Sequence, residues 1–475
     1  MPAAVARKKK GRQGLSANVL RELRMKSPIQ ETSPPSEAVR NGFERTEGLV
    51  DPSLVQGCAE YFFARMAGTV PILSLGGFQR QVESMNQCLH AYCLVTAFCA
   101  FVVTQTGYPS HHQAEPSVGL ALLEEATVAR RQLDPFSESV RRSITIAFLL
   151  YGCHIGQGHQ RRAYYYLREA TTLYTAGMLD EEHDQDWSAS HDQLFWLLLI
   201  SERAHAIRRR RPITLQIGPS SPPLADSLDP FTIGFNCLVK LYRLFDKSFL
   251  DLWNGTQTTW SREALIHLEE HVQRAVPVDI QLPDILLADL LVSQQWLRTI
   301  IWQLATRAGF LSTTPIHPCL EFRYPLQIAR DLAMATWKLS MGSMETHGVG
   351  LIEKIFEVAC TLTDVMVCVS TTGLQSSAFE LGPQDYLKHF CFLIATLPGG
   401  RSRFLPLLLT KIEQTTPAML FSSFPGRSSG CFYSQIVFSL PIYSPPKRIR
   451  QGFAVQSRLI LSNKKKYLSA TKILS

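Results

Sequence analysis

The run Leu194–Ile200, LFWLLLI, is apolar on every side of a helix. Such a helix cannot lie on a surface, because other elements must enclose it on several sides. The flanking residues say what those elements are. Upstream, Ala163, Tyr166, Leu167, Ala170, Leu173 and Tyr174 recur at helical spacing and form one apolar stripe. Gly177 follows the last of them, where a left-handed C-cap is cheap for a residue without a Cβ. An acidic stretch, Asp180 to Asp186, comes next, and Ser190 with Gln193 has the spacing of a capping box. Downstream, Arg208, Arg209, Arg210 and Arg211 put cations at the negative end of a helix, and Pro212 stops it. The pattern predicts two packed helices ending in a basic corner, with the arginine run as a solvated face that complements the dipole.

Helical spacing continues from Leu54 to about Ile412. It predicts elements near 52–66, 79–105, 117–131, 135–152, 160–176, 190–210, 229–252, 260–274, 283–308, 324–341, 345–371, 383–396 and 402–412. No alternating strand pattern of useful length and no fixed-period repeat interrupts them. Helices joined by short connections pack as antiparallel neighbours, so the expected fold is all-α, a large array of antiparallel helices. A chain of 475 residues with 45% hydrophobic content is long and apolar enough for one large body or two or three ordinary domains. The longest apolar runs, such as Tyr92 to Val103, are shorter than a bilayer requires, and no membrane partner is expected.

Charge divides the chain. Residues 1–26 carry eight Lys/Arg against one acid, Glu22, and residues 414–475 carry nine and no acid. The net charge of +8 therefore belongs to the ends, and the middle is net negative. The expected organisation is a basic arm with a short helix (1–26), a flexible Pro/Ser/Thr-containing linker (27–49), a helical body (50–413) and a basic irregular tail (414–475). Arg7, Lys8, Lys9, Lys10 and Arg12 sit beside glycine on the arm, a composition that binds import receptors or nucleic-acid phosphates. The Lys464 to Lys466 run is a second basic cluster. The N-terminus has no apolar segment after its basic start, so a secretory signal is not expected. Eleven cysteines, none at CxxC spacing, fall mostly in apolar helical runs such as those of Cys88, Cys93, Cys99, Cys360 and Cys368, the pattern of buried thiols in a reducing compartment.

Short motifs for catalysis do not find their context. His267 to His271, HLEEH, has the HxxEH spacing of a zinc protease with Glu270 as base, but it lies on a charged amphipathic helix. Gly426 to Gly430, GRSSG, fits a nucleophile elbow around Ser428, yet no Asp or His follows it. Gly156 and Gly158 lack the third glycine of a dinucleotide site. His111 and His112 read as a solvated loop pair, and Tyr164 to Tyr166, Trp296 and Trp302 as core. The expectation is no enzyme, no cofactor and no metal site.

One long segment has a family likeness. FWLLLISERAHAIRRRRPITL resembles the regulatory middle region of fungal zinc-cluster transcription factors, most of all the maltose, sucrose and starch regulators. The matching positions are Phe195, Trp196, Glu202, Arg203, Ala204, His205, Ala206, Arg210, Arg211 and Pro212. ADLLVSQQWLRTIIWQL from Ala288, FRYPLQIARDL from Phe322 and HGVGLIEKIFEVACTLTDVM from His347 resemble further helices of that region, and DYLKHF and LPGGRSRFLPLLL resemble its final ones. The likeness covers roughly 7–25 and 50–412. It implies a nuclear regulator of a metabolic or secondary-metabolite gene set, acting through a helical regulatory domain. Its implied partners are the transcription machinery or related regulators, a small-molecule inducer, and a second subunit in a homo- or heterodimer. In that family the basic arm lies just after six cysteines that hold two zincs. This sequence has no such cluster, so zinc is expected only if one lies upstream of it, and DNA contact is expected to be weak or indirect. A co-regulator that pairs with intact relatives is the alternative within the class, and a helical enzyme or scaffold the alternative outside it.

Overall fold

Side-chain caps set where six of the described helices begin. The computed structural model describes residues 43–106, 116–136, 139–177, 191–219, 221–256, 260–277, 279–368 and 381–415. The chain divides into Met1–Arg45 and Thr46–Ser475, and the helices belong to the second. They are α1 Pro52–Arg65, α2 Leu75–Ser84, α3 Leu89–Thr106, α4 Pro116–Arg131, α5 Val140–Gly156, α6 Gln160–Gly177, α7 His191–Arg209, α8 Pro230–Tyr242 and α9 Lys247–Asn254. There follow α10 Arg262–Arg274, α11 Asp284–Arg307, α12 Tyr324–Trp337, α13 Met341–Glu345, α14 Gly348–Cys368, α15 Pro383–Thr396, α16 Gly400–Arg403 and α17 Leu405–Thr415. Asp51, Ser74, Asp229, Asp246, Ser261 and Ser340 each accept a hydrogen bond from a first-turn amide, the donors that a helix start leaves unpaired. Among the described residues the only pairing of strand type is an isolated bridge between Ser312 and Glu321, and the fold is all-α.

The same caps explain where one expected helix becomes two. The stretch expected at 229–252 breaks after Tyr242 because the Asp246 carboxylate takes the Phe249 amide at 2.9 Å and starts α9. The stretch expected at 324–341 ends at Trp337, and Ser340 caps α13 instead. The stretch at 79–105 divides into α2 and α3, with a break at Met85–Cys88. Gly177 differs from expectation as well. It is the last residue of α6 and is not left-handed; Val140 lies 2.6 Å from where its Cβ would be, so its missing side chain serves packing. The acidic stretch Asp180–Asp186 and Ser190 lie outside the described residues.

Helix α3 is apolar all round, and α1, α2, α4 and α5 pack against it. At 18 residues it is long and apolar enough to cross a bilayer by length and composition, which corrects the reading taken from Tyr92–Val103, but 83% of it is buried in this protein. Its end is stitched to two other helices by Gln105. The Gln105 amide donates to the Gly152 carbonyl in α5 at 2.5 Å. Gln105 Oε1 stands 2.4 Å from where a Gly348 Cβ would be, and Gly348 is left-handed at φ +56°, so only glycine fits this start of α14. The second half of the body forms one hydrophobic cluster, from Ala204 to Ile412, in which α11 packs against α8, α10, α12, α13 and α14. Helix α14 touches both halves, meeting α3 and α5 on one side and α11, α12, α15 and α17 on the others.

The apolar run in α7 is enclosed as its composition requires. Phe195 and Trp196 are 5% and 4% exposed, and the Phe195 ring meets Tyr174 of α6 at 5.7 Å. Trp196 Nε1 is buried without a hydrogen-bond partner, so the side chain contributes through packing alone. Trp196→Ala should cost about 3–5 kcal/mol, as aromatic truncations in packed interiors do. Trp196→Phe should cost far less, since it also removes an unpaired donor. Denaturant melts of the two variants check this, and equal losses would mean that the indole nitrogen has a partner.

Candidate functional site at the basic end of α7

The last turns of α7 carry Glu202, Arg203, His205, Arg208 and Arg209, and the structure commits each of them. Glu202 is 2% exposed. Its carboxylate accepts the Thr214 amide at 2.7 Å and the Leu215 amide at 2.9 Å, and pairs with Arg168 of α6 at 3.1 Å. The returning chain after Pro212 is thereby tied back along the helix it has just left. Arg203, 1% exposed, donates to the Tyr242 carbonyl at 3.1 Å, at the end of α8 where the helix dipole is negative. Burial pushes its guanidinium down to about 10, against the pull of Asp246 and Glu202. The His205 ring stacks on Tyr164 at 5.6 Å and meets the Tyr151 edge at 5.9 Å. Burial, helped by Arg208 and Arg209, pushes it down to about 3, so it is neutral at physiological pH.

The first half of the arginine run departs from the expected solvated face, whereas Arg210 and Arg211 are exposed. Arg208 is 9% exposed and meets Glu353 of α14 at 3.0 Å; Arg209 meets the other Glu353 oxygen at 2.5 Å. Arg403 of α16 approaches the same carboxylate at 3.5 Å and donates to the Ile155 carbonyl at 3.2 Å. Burial alone would raise the Glu353 carboxyl, but the three guanidinium groups outweigh it and hold it below the usual range. Arg403 passes close to the Gly158 turn, where a Cβ would stand 3.2 Å from its guanidinium. Gly158 is left-handed, so this glycine serves a turn and a close approach rather than a nucleotide.

Arg210 ends the helix by an uncommon route. Its φ of +51° is the only left-handed value of a non-glycine residue among those described. Pro212 disfavours the helical region for Arg211, so the helix must close by Arg210. The Arg211 amide then returns to the Ala206 carbonyl at 3.2 Å, a Schellman-type closure without glycine. What holds Arg210 there is a reciprocal contact with the end of α9. Trp253 Nε1 donates to the Ile207 carbonyl at 2.8 Å, and Arg210 donates to the Trp253 carbonyl at 2.7 Å. Each helix end thus satisfies an orphan carbonyl of the other. Arg211 and Pro212 are exposed, and the Arg211 guanidinium lies 5.1 Å over the Tyr164 ring.

Two further clusters brace the body behind this corner. Lys354, the neighbour of Glu353, pairs with Asp289 at 2.8 Å and donates to Ser293 at 2.7 Å, both in α11. Arg298 of α11 bonds Glu269 at 2.9 Å and Asp331 at 2.9 Å, and the Tyr324 hydroxyl donates to Glu269. That use of Glu269 removes it from any role in the HLEEH motif. His267 is exposed, Glu270 pairs with Arg274 at 2.9 Å, and His271 turns its Nδ1 to the His267 carbonyl at 2.6 Å. No group of three His, Cys, Asp or Glu among the described residues could hold a metal. No described cysteine is in a disulfide, all but Cys88 and Cys391 are buried, and burial pushes Cys93 and Cys153 up to about 12. These thiols do not fit a zinc cluster. Trp296, Trp302 and Tyr166 are buried, whereas Tyr165 is 62% exposed and is not core.

The family positions therefore fall into two groups on one helix. Phe195 and Trp196 fill the interior at one end, and Glu202, Arg203, His205, Arg210, Arg211 and Pro212 build the corner at the other. Arg7, Lys8, Lys9, Lys10 and Arg12 lie outside the described residues, as do His111, His112, Gly426 to Gly430 and Lys464 to Lys466. Sequence reasoning missed Glu353, Trp253 and Arg403. A signal was present for Glu353: GLIEKIFEV puts an acid and a base inside an apolar helical run, where buried charges require partners.

No family model matches the chain, and no solved structure matches it. Curated relatives do. The probable sucrose utilization protein SUC1 of Candida albicans is 22% identical over 65% of this chain and 64% of its own length. The respiratory transcription factor ZNF1 of Saccharomyces cerevisiae is 22% identical over 67% of this chain and 70% of its own. The maltose fermentation regulatory protein MAL63 of Saccharomyces cerevisiae is 24% identical over 62% and 65%. The chain thus spans just under two thirds of the length of the sucrose utilization relative. These curated relatives are fungal transcription regulators, and no enzyme is among those that match. Within that class its homologues are the maltose and sucrose regulators of the zinc-cluster kind.

Two outcomes follow for the corner. Glu353→Gln leaves Arg208 buried without its counter-charge and should cost about 3–5 kcal/mol, measured by urea unfolding. His205 has a folded pKa of about 3, below the unfolded value of about 6.5, so the unfolded chain binds the extra proton between them. Its contribution is complete above pH 6.5 and is lost as pH falls. Stability should drop by about 1.4 kcal/mol per pH unit for this group below about pH 6. In His205→Phe that slope should be shallower by about this amount; an unchanged slope would place the titration elsewhere.

Proposed function

We propose that this chain is a nuclear transcription regulator of a fungal metabolic gene set, working through the helical body at 50–413. The observation that carries this is the homology to sugar-utilisation and respiratory regulators, over about two thirds of the chain. Supporting it is the composition of the ends: an acidic body flanked by basic segments meets import receptors and nucleic acid through those segments. The body acts as a sensor and docking surface. A small inducer or a protein partner shifts its equilibrium between states, in proportion to its difference in affinity for them. Related regulators, in a homo- or heterodimer, and the transcription machinery are its partners.

DNA contact by the 475-residue chain rests on Arg7, Lys8, Lys9, Lys10 and Arg12, with the Lys464 to Lys466 run. Phosphate contacts of that type position a protein but do not read bases. Affinity in a gel-shift titration should fall steeply with salt and vary little with sequence. A site bound about a thousandfold tighter than scrambled DNA would reveal a base-reading element. Tethered to a reporter promoter through a foreign DNA-binding domain, the full chain should change transcription several-fold. Alanine at the five arm positions should shift a fluorescent fusion from nucleus to cytoplasm. A folded, nuclear fusion that leaves the reporter unchanged would overturn the regulatory reading.

A further inference from the structure

The corner contains more positive charge than its carboxylates take up. Glu353 is shared by Arg208, Arg209 and Arg403. Arg210 and Arg307 have no ion pair among the described residues. Both lie over Trp253, with guanidinium carbons 4.9 Å and 3.9 Å from its ring centroid, and both donate to its carbonyl, at 2.7 Å and 3.5 Å. That carbonyl closes α9, and a helix end carries only about half a negative charge, against two full positive ones. The nearest acid acting on both is Glu357, which is committed to Trp296 Nε1 at 2.7 Å and stands outside ion-pair distance. Burial first, and then repulsion from Arg210, pushes Arg307 down to about 10. The pair is therefore held together against its own charge, and Arg210 is held in a backbone conformation that costs a non-glycine residue energy. A structural cap alone needs neither feature, since one arginine satisfies a carbonyl. Arg210 is at the surface and Arg307 is partly exposed, so a solute can reach them.

We propose that Arg210 and Arg307, set together over Trp253 where α7, α9 and α11 end, form a binding site for one compact oxyanion: the phosphate or carboxylate group of a small molecule. Two planar guanidinium groups match the oxygen spacing of either group and bind it by charge-assisted hydrogen bonds. The bound anion neutralises the pair and locks three helix ends to one another. The site stands on the geometry of this corner and not on the regulatory reading, so each can fail without the other.

The test is isothermal titration of the full chain with inorganic phosphate alone and, separately, with acetate alone, at ionic strength held constant with chloride. One saturable site for either anion is expected, and the tighter of the two identifies the group recognised. Arg210→Gly suits the left-handed backbone and should fold; it should weaken binding at least tenfold. Arg307→Gln should do the same, and Arg131→Ala, at an exposed arginine that ends α4, should not. If Arg307→Gln fails to fold, Arg210→Gly decides alone. No saturable site for either anion, or binding unchanged in Arg210→Gly, would overturn the proposal.

Discussion

The Glu353 carboxylate is the contact on which the rest of the corner depends. It is 7% exposed and receives guanidinium groups from α7 and α16. An unpaired carboxylate at that depth would be neutralised or would unfold its surroundings. Three partners make the charged form the stable one, and the arrangement in turn fixes where α7 must end relative to α14. Lys354, the next residue, points about 100° round the helix and pairs with Asp289 of α11. One dipeptide thus pins α14 to three other helices, its acid to α7 and α16 and its base to α11.

The corner also shows how polar groups can organise a helical body without making it an active site. Glu202, Arg203, Trp253 and Arg210 each satisfy backbone groups that helix ends leave unpaired. Their perturbed ionisation follows from that structural use. His205, neutral between two tyrosine rings, belongs to the same pattern. Perturbed groups mark functional sites only probabilistically, and here most of them explain architecture. Arg210 and Arg307 stand apart, because capping does not account for two uncompensated charges.

Division of charge along the chain suits a regulator of the kind named by its relatives. The cross-braced body carries net negative charge and the two ends net positive charge. The homology covers about two thirds of the chain at 22–24% identity. At that distance interior packing and the pattern of helix ends can persist while surface chemistry diverges, so the exposed part of the corner is where this protein can differ from its relatives.

The sequence by itself determined the all-α fold, the place of most helices and the burial of the LFWLLLI run. These follow from periodicity, from Asp and Ser caps and from proline, which act over a few residues. It also located the corner, because Arg208 to Arg211 and Pro212 mark a helix end wherever that helix lies. Local chemistry did not reveal the breaks before α9 and α13, where a capping side chain competed with an otherwise continuous apolar pattern. Only the tertiary structure decided what the arginines do. Arg208 and Arg209 find their carboxylate 145 and 144 residues away in sequence, and Arg210 finds its carbonyl 43 away. The energy of a charge depends on its burial and its nearest counter-charge, and both are set by helices that meet only when the chain has folded.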